Sequence, residues 1–126
     1  MTPATWDFSV VRGSAGPGQG IKVQLKTKDS AGVLSNIPFD DVRLTIYNRQ
    51  TYVLRATIGN GEIVVTDPVN AEVEWQPTTV ETRLIPKGAK ATYELEVRNG
   101  ASEIVYMVGT ITGIGGINDD VGDDAS

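Results

Sequence analysis

Glutamate pairs are the residues of this chain whose types and spacing come nearest to a catalytic arrangement. Glu72 and Glu74 lie two residues apart, and so do Glu94 and Glu96. Glycoside hydrolysis needs two facing carboxyl groups, one to protonate the leaving oxygen and one to attack or to activate water. Both pairs, however, interleave with apolar residues: Ala71, Val73 and Trp75 in one case, Tyr93, Leu95 and Val97 in the other. That phasing predicts solvated outer faces of strands rather than a cleft. The run Asn118-Asp119-Asp120-Val121-Gly122-Asp123-Asp124 supplies oxygen ligands for calcium. It lacks the ligand order and the late bidentate glutamate of an EF-hand, and reads as a solubilising tail. The glycine-rich segment from Gly13 to Gly20 has neither the Gly-Lys-Ser/Thr ending nor the following helix of a phosphate-binding loop, so a mobile hairpin loop is expected there. No serine and lysine are brought together by a nucleophile-elbow pattern.

Composition narrows the chemistry further. The 126 residues include no histidine and no cysteine. A histidine-based triad, a thiolate metal site and a disulfide framework are therefore excluded. The expected site inventory is empty: catalytic none, cofactor-binding none, metal none. The formal charge of -5 is partly carried by Asp119, Asp120, Asp123 and Asp124, and there is no run of lysine or arginine. Nucleic acid is not an expected partner. Met1 to Asp7 lacks a basic leader with an apolar core, and no apolar run reaches bilayer-spanning length, so no membrane partner is expected either.

Exposed aromatic rings stack on sugars, which makes the six tyrosines and tryptophans a test for carbohydrate binding. Trp75, Tyr93 and Tyr106 share phase with aliphatic residues and are expected inside. Tyr47 is out of phase with Leu44 and Ile46 and is expected outside, while Tyr52 fits either face.

The elements that would position these residues are strands. Period-two alternation recurs at Trp6/Phe8/Val10, Ile21/Val23/Leu25, Val42/Leu44/Ile46, Tyr52/Leu54/Ala56, Ala71/Val73/Trp75, Val80/Thr82/Leu84, Tyr93/Leu95/Val97 and Ile104/Tyr106/Val108. Pro38 argues against a regular strand through Ile37 and Phe39. Gly59-Asn60-Gly61 and Asn99-Gly100 read as hairpin turns, and Pro86-x-Gly88 as a turn feeding the Tyr93 strand. No window predicts a helix. Strands at roughly 8–12-residue spacing favour an all-β, antiparallel sandwich, with a partly open barrel as the other closure. The inner faces would combine Trp6/Phe8, Val23/Leu25, Leu44/Ile46, Val73/Trp75, Leu84, Tyr93/Leu95/Val97 and Ile104/Tyr106. The last strand carries apolar residues in both phases, as a central strand or a partner-covered one would. Residues 1–113 form one expected domain and 114–126 a glycine-rich, acidic tail.

The order Trp6-Asp7-Phe8-Ser9-Val10, Val42-Arg43-Leu44-Thr45-Ile46, Val73-Glu74-Trp75-Gln76-Pro77, Pro86-x-Gly88, Tyr93-Glu94-Leu95-Glu96-Val97 and Gly109-Thr110-Ile111-Thr112 resembles the N-terminal domain of phage baseplate upper proteins and related tail-fibre attachment modules. The likeness covers roughly Thr5 to Thr112. It implies an immunoglobulin-like antiparallel β-sandwich in a tailed-phage virion. It further implies a structural adaptor of baseplate, neck or tail fibre, homo-oligomeric within a symmetric particle and partnered by other virion proteins. The resemblance brings no catalytic residues and no cofactor. A carbohydrate- or receptor-binding β-sandwich module is the alternative expectation.

Overall fold

The computed structural model describes residues 3–115. The acidic run considered for calcium lies outside them, as does all of the predicted tail after Gly115. In chain order the elements are β1 (Ala4–Thr5), β2 (Phe8–Val11), β3 (Lys22–Gln24), β4 (Lys26–Lys28), β5 (Leu34–Asn36), β6 (Asp41–Asn48), β7 (Thr51–Thr57), β8 (Ile63–Asp67), β9 (Glu72–Trp75), α1 (Thr79–Leu84), β10 (Gly88–Asn99) and β11 (Ser102–Ile114). The larger sheet runs β1-β11-β10-β6-β7, with β2 continuing β1 along the same side of β11. A smaller sheet runs β3-β9-β8, and β4 with β5 makes a separate ribbon. The pairings between these strands are antiparallel except those of β1 and β2 with β11, and an isolated parallel bridge joins Lys87 to Gly113.

The arrangement is all-β and sandwich-like, and none of these sheets closes into a barrel. The alternating apolar residues explain it. Val42, Leu44, Ile46, Tyr93, Leu95 and Val97 of the larger sheet meet Val73 and Trp75 of the smaller one, and Leu25 between β3 and β4, in a single buried cluster. Burying side chains of this size removes about 1.5–3 kcal/mol each of unfavourable hydration. Phe8 packs edge-to-face on Tyr93, ring centroids 5.0 Å apart, and so ties the first strand to the core. Pro38 is followed by no strand until Asp41, as its missing N–H requires. Asn99 and Ser102 pair across a two-residue turn with Gly100 at φ 60°, so the Asn-Gly hairpin forms as expected.

Several expectations are overturned. Thr78 to Ile85 contains a helix, not a strand. Thr78 Oγ1 accepts the Glu81 N–H at 3.1 Å, and the Glu81 carboxylate accepts the Thr78 N–H at 2.9 Å. This reciprocal capping box satisfies two otherwise unpaired donors and starts α1. Helical spacing then turns Thr82 and Ile85 inward and leaves Leu84, expected in the core, exposed beside Val80. Gly59-Asn60-Gly61 does not close a hairpin. It carries the chain from β7 in one sheet to β8 in the other, with the Asn60 side-chain oxygen accepting the N–H groups of Thr57 and Glu62. Trp6 is 57% exposed rather than core: its carbonyl lies against Gly109, and the residue lines an open pocket with Ile21 and Met107.

The glycine-rich segment is tied down as well. Gly13 N–H donates to Thr82 Oγ1, Gly16 N–H to the Pro77 carbonyl and Gly18 N–H to the Glu74 carboxylate, each at 2.9 Å. The segment bridges the two sheets, since β2 belongs to one and β3 to the other. Beneath it Glu74, expected on a solvated face, is 4% exposed.

Two β-bulges account for phases the sequence left ambiguous. Pairing slips between Leu95 and Glu96, so Tyr106 has no partner on β10. Ile104 and Met107 therefore both lie opposite inward residues, Val97 and Leu95, while Val105 and Val108 lie opposite Glu96 and Glu94. The apolar residues in both phases of the last strand belong partly to this change of phase. β11 also runs through Ile114, paired with Val11, beyond the expected strand end. A second slip on β7 leaves Val53 unpaired and sets Tyr52 opposite Tyr47.

Candidate functional site

The outer face of the larger sheet is built in rows, because residues directly opposite one another on neighbouring strands project to the same side. One row reads Thr110, Thr92, Tyr47, Tyr52 across β11, β10, β6 and β7. The next reads Thr5, Val108, Glu94, Thr45, Arg55. A third sets Val105, Glu96, Arg43 and Thr57 side by side. Arg55 lies over Thr45, its Nε donating to the threonine hydroxyl at 3.2 Å, and Thr45 is buried in consequence.

An open groove of about 450 Å³ covers the β1, β11 and β10 part of the first two rows and reaches Tyr47 on β6; it is lined by Thr5, Asp7, Tyr47, Thr92, Glu94 and Thr110 with Val108 and Gly109 beneath. Its geometry depends on the kink between β1 and β2. A Cβ on Gly109 would lie 1.9 Å from the Trp6 carbonyl oxygen, so this crossing requires glycine. The buried Tyr93 hydroxyl donates to the same carbonyl. Burial, with the charge of Asp7 nearby, pushes the Tyr93 phenol up to about 12, so it remains a donor throughout the physiological range. With the Trp6 carbonyl turned toward Tyr93, the Asp7 carboxylate accepts the Thr110 N–H at 2.9 Å and is held at the rim.

Tyr47 lines one end of the groove, and Tyr52 stands just beyond it as its cross-strand neighbour. They are 39% and 53% exposed, with ring centroids 6.2 Å apart and planes at 62°. Tyr47 is outward as its phase predicts. Tyr52 reaches the same face through the bulge at Val53; a regular ladder would have paired Tyr47 with Val53 and turned Tyr52 toward the Leu54 side.

The glutamate pairs do not assemble a two-carboxylate cleft. Glu94 projects into the groove and Glu96 sits in the Arg43 row. Glu72 accepts the Thr66 hydroxyl at 2.9 Å, while Glu74 is buried on the other sheet, accepting from Gly18 N–H and from Gln76 Nε2 at 3.0 Å. Comparison with protein-family models, with curated proteins and with solved structures returns no match.

A different carboxyl pair is present. Glu62 lies against Glu81, and its own Oε2 is buried without a partner. Burial first, then the hydrogen bond and the charge of Glu81, push the Glu62 carboxyl up to about 7. Sequence spacing gives no signal for this pair, which is joined only through the fold. Among the described residues no three histidine, cysteine, aspartate or glutamate side chains group as a metal-ligand set, and no helix is long and apolar enough to cross a membrane.

Proposed function

We propose that this chain is a structural adaptor of a tailed-phage virion, in baseplate, neck or tail fibre, built on an immunoglobulin-like sandwich and assembled with copies of itself and other virion proteins. The likeness of the Val73–Pro77, Pro86-x-Gly88 and Tyr93–Val97 segments to attachment modules of such particles supports it. So does the strand order. Lettered as in a variable-type immunoglobulin domain, β3, β6, β7, β8, β9, β10 and β11 correspond to B, C, C′, D, E, F and G, giving G-F-C-C′ against B-E-D. The chain departs from antibody domains in having no disulfide and in carrying its buried tryptophan, Trp75, on the E-equivalent strand.

The observation that carries the reading is the placing of exposed aliphatic side chains at the two ends of β9. Before it, Val69 on the β8–β9 turn is 80% exposed, and its carbonyl accepts from Asn36 of β5, whose neighbours Val33 and Leu34 are exposed too. After it, Val80 and Leu84 make an exposed stripe on α1. Apolar residues grouped on a surface mark contact sites, and an adaptor needs two of them to join two neighbours.

The test is co-assembly of the full chain with its virion neighbours. Wild-type chain is expected in isolated particles, and Val80→Asp/Leu84→Asp is expected to fold, by circular dichroism, yet drop out of them. Particles that form and infect normally without the chain, or that take up the double variant as well as wild type, would overturn the reading.

A further inference from the structure

The groove over β11, β10 and β6 has a lining with one consistent chemistry. Thr5, Thr92 and Thr110 offer hydroxyls, each able to donate and accept. Asp7 and Glu94 are acceptors only. Asp7 spends one oxygen on the Thr110 N–H, and Glu94 makes no hydrogen bond or ion pair among the described residues. The lining contains no lysine or arginine. Tyr47 closes one side, with Tyr52 next to it in the same row, and both rings stand free of the core.

We propose that this groove binds a neutral oligosaccharide, with the Tyr47–Tyr52 pair as the stacking platform and Asp7, Thr92, Glu94 and Thr110 as hydrogen-bond partners of the sugar hydroxyls. The class of ligand follows from elimination by charge and polarity. Phosphate, sulfate and sialic acid would face two carboxylates with no counter-charge in the lining, since Arg55, the cation of the Glu94 row, lies outside it with its Nε on the Thr45 hydroxyl. A purely apolar ligand would desolvate three hydroxyls, the Glu94 carboxylate and the second oxygen of Asp7 without giving them partners, at about 1–3 kcal/mol for each such group. A neutral sugar has donors for the carboxylates, donors and acceptors for the threonines, and an axial C–H face for the rings. From Tyr52 to Thr110 the row crosses three strand spacings, about 14 Å, which suits a short chain of sugars better than a single ring. The aromatic pair would not exist without the bulge at Val53, which sets Tyr52 beside Tyr47 on the exposed face. The site is independent of the adaptor role: the α1 stripe is made by Val80 and Leu84, neither of which lines the groove.

Titration of the ¹⁵N-labelled full chain with neutral trisaccharides of glucose, galactose, mannose and N-acetylglucosamine, and with a sialylated trisaccharide, tests this. At least one neutral sugar is expected to shift the amides of Tyr47, Thr92 and Thr110 saturably at micromolar to millimolar concentration, and the sialylated one is not. Tyr47→Ala should weaken that binding about tenfold or more, and Thr92→Val, which keeps shape and β-propensity, should weaken it severalfold. Both variants change exposed positions, and the unperturbed amides of β3 and β9 will report that they fold. The proposal is overturned if no neutral sugar in the set shifts these amides, if the shifts persist unchanged in Tyr47→Ala, or if the sialylated sugar binds equally well.

Discussion

Glu74 and Glu94 occupy the same pattern and meet opposite fates. Each stands between two buried residues, Val73 and Trp75 or Tyr93 and Leu95, and each projects from the outward side of its strand. Glu94 stays exposed in the groove. Glu74 is sealed beneath the segment from Gly13 to Gly20, its carboxylate held by a backbone N–H of that segment and by Gln76. Alternation therefore reports the side of a strand a residue takes, while cover arrives from elsewhere in the chain. The larger sheet leaves its outer face open; the smaller sheet has part of that face roofed by a loop, so it behaves locally as a second interior.

The roof over the smaller sheet is most vulnerable at Gly20. A Cβ there would sit 2.2 Å from the Trp75 carbonyl oxygen and 3.0 Å from both Pro77 and the Trp75 ring. Gly20→Ala must lift the roof or move β9, with an expected loss of about 3 kcal/mol in denaturant unfolding. An alanine at this position with wild-type stability would mean that the roof is not packed. Substituting the glutamates themselves sharpens the contrast. Glu74→Ala leaves the Gly18 N–H without its acceptor and should cost about 1–3 kcal/mol, whereas Glu94→Ala should stay within about 0.5 kcal/mol. Equal effects would erase the distinction between the two faces.

Glu62 is an intermediate case, half-buried against Glu81. Its carboxyl holds a proton up to about 7 in the folded chain and releases it near the ordinary 4.5 when unfolded. Between those values the folded state binds more protons, so raising the pH favours unfolding. Stability from this group is complete below about 4.5 and lost as pH rises through about 7. Thermal unfolding of wild type should show that decline, and Glu62→Gln should flatten it. A slope unchanged by the substitution would assign the pH dependence to other groups.

Much of the scaffold is legible in the chain. Val42/Leu44/Ile46, Val73/Trp75 and Tyr93/Leu95/Val97 announce their inner faces by alternation, and Asn99-Gly100 announces its turn. The outward phase of Tyr47 was readable by the same rule. What stayed hidden depends on long-range placement or on a local signal overruled by period two. Thr78-x-x-Glu81 is a capping signature, yet Val80, Thr82 and Leu84 also fit alternation, and the cap decides. The bulges at Val53 and Tyr106 shift phase by one residue, which no periodicity can reveal. The groove needs Asp7, Thr92 and Thr110 on one surface, and these meet only because the first strand joins the last.

That union of first and last strands also determines how the molecule answers to tension. Ala4 lies beside Met107 and Val11 beside Ile114, running in the same direction. Pulling outward through Ala4 and Ile114 drags the two strands past each other lengthwise, so the hydrogen bonds between them carry the load together instead of opening one by one. Resistance of this kind is a matter of unfolding rate, not of equilibrium stability. Tension along the chain is thus borne at the edge of the larger sheet, away from its open outer face.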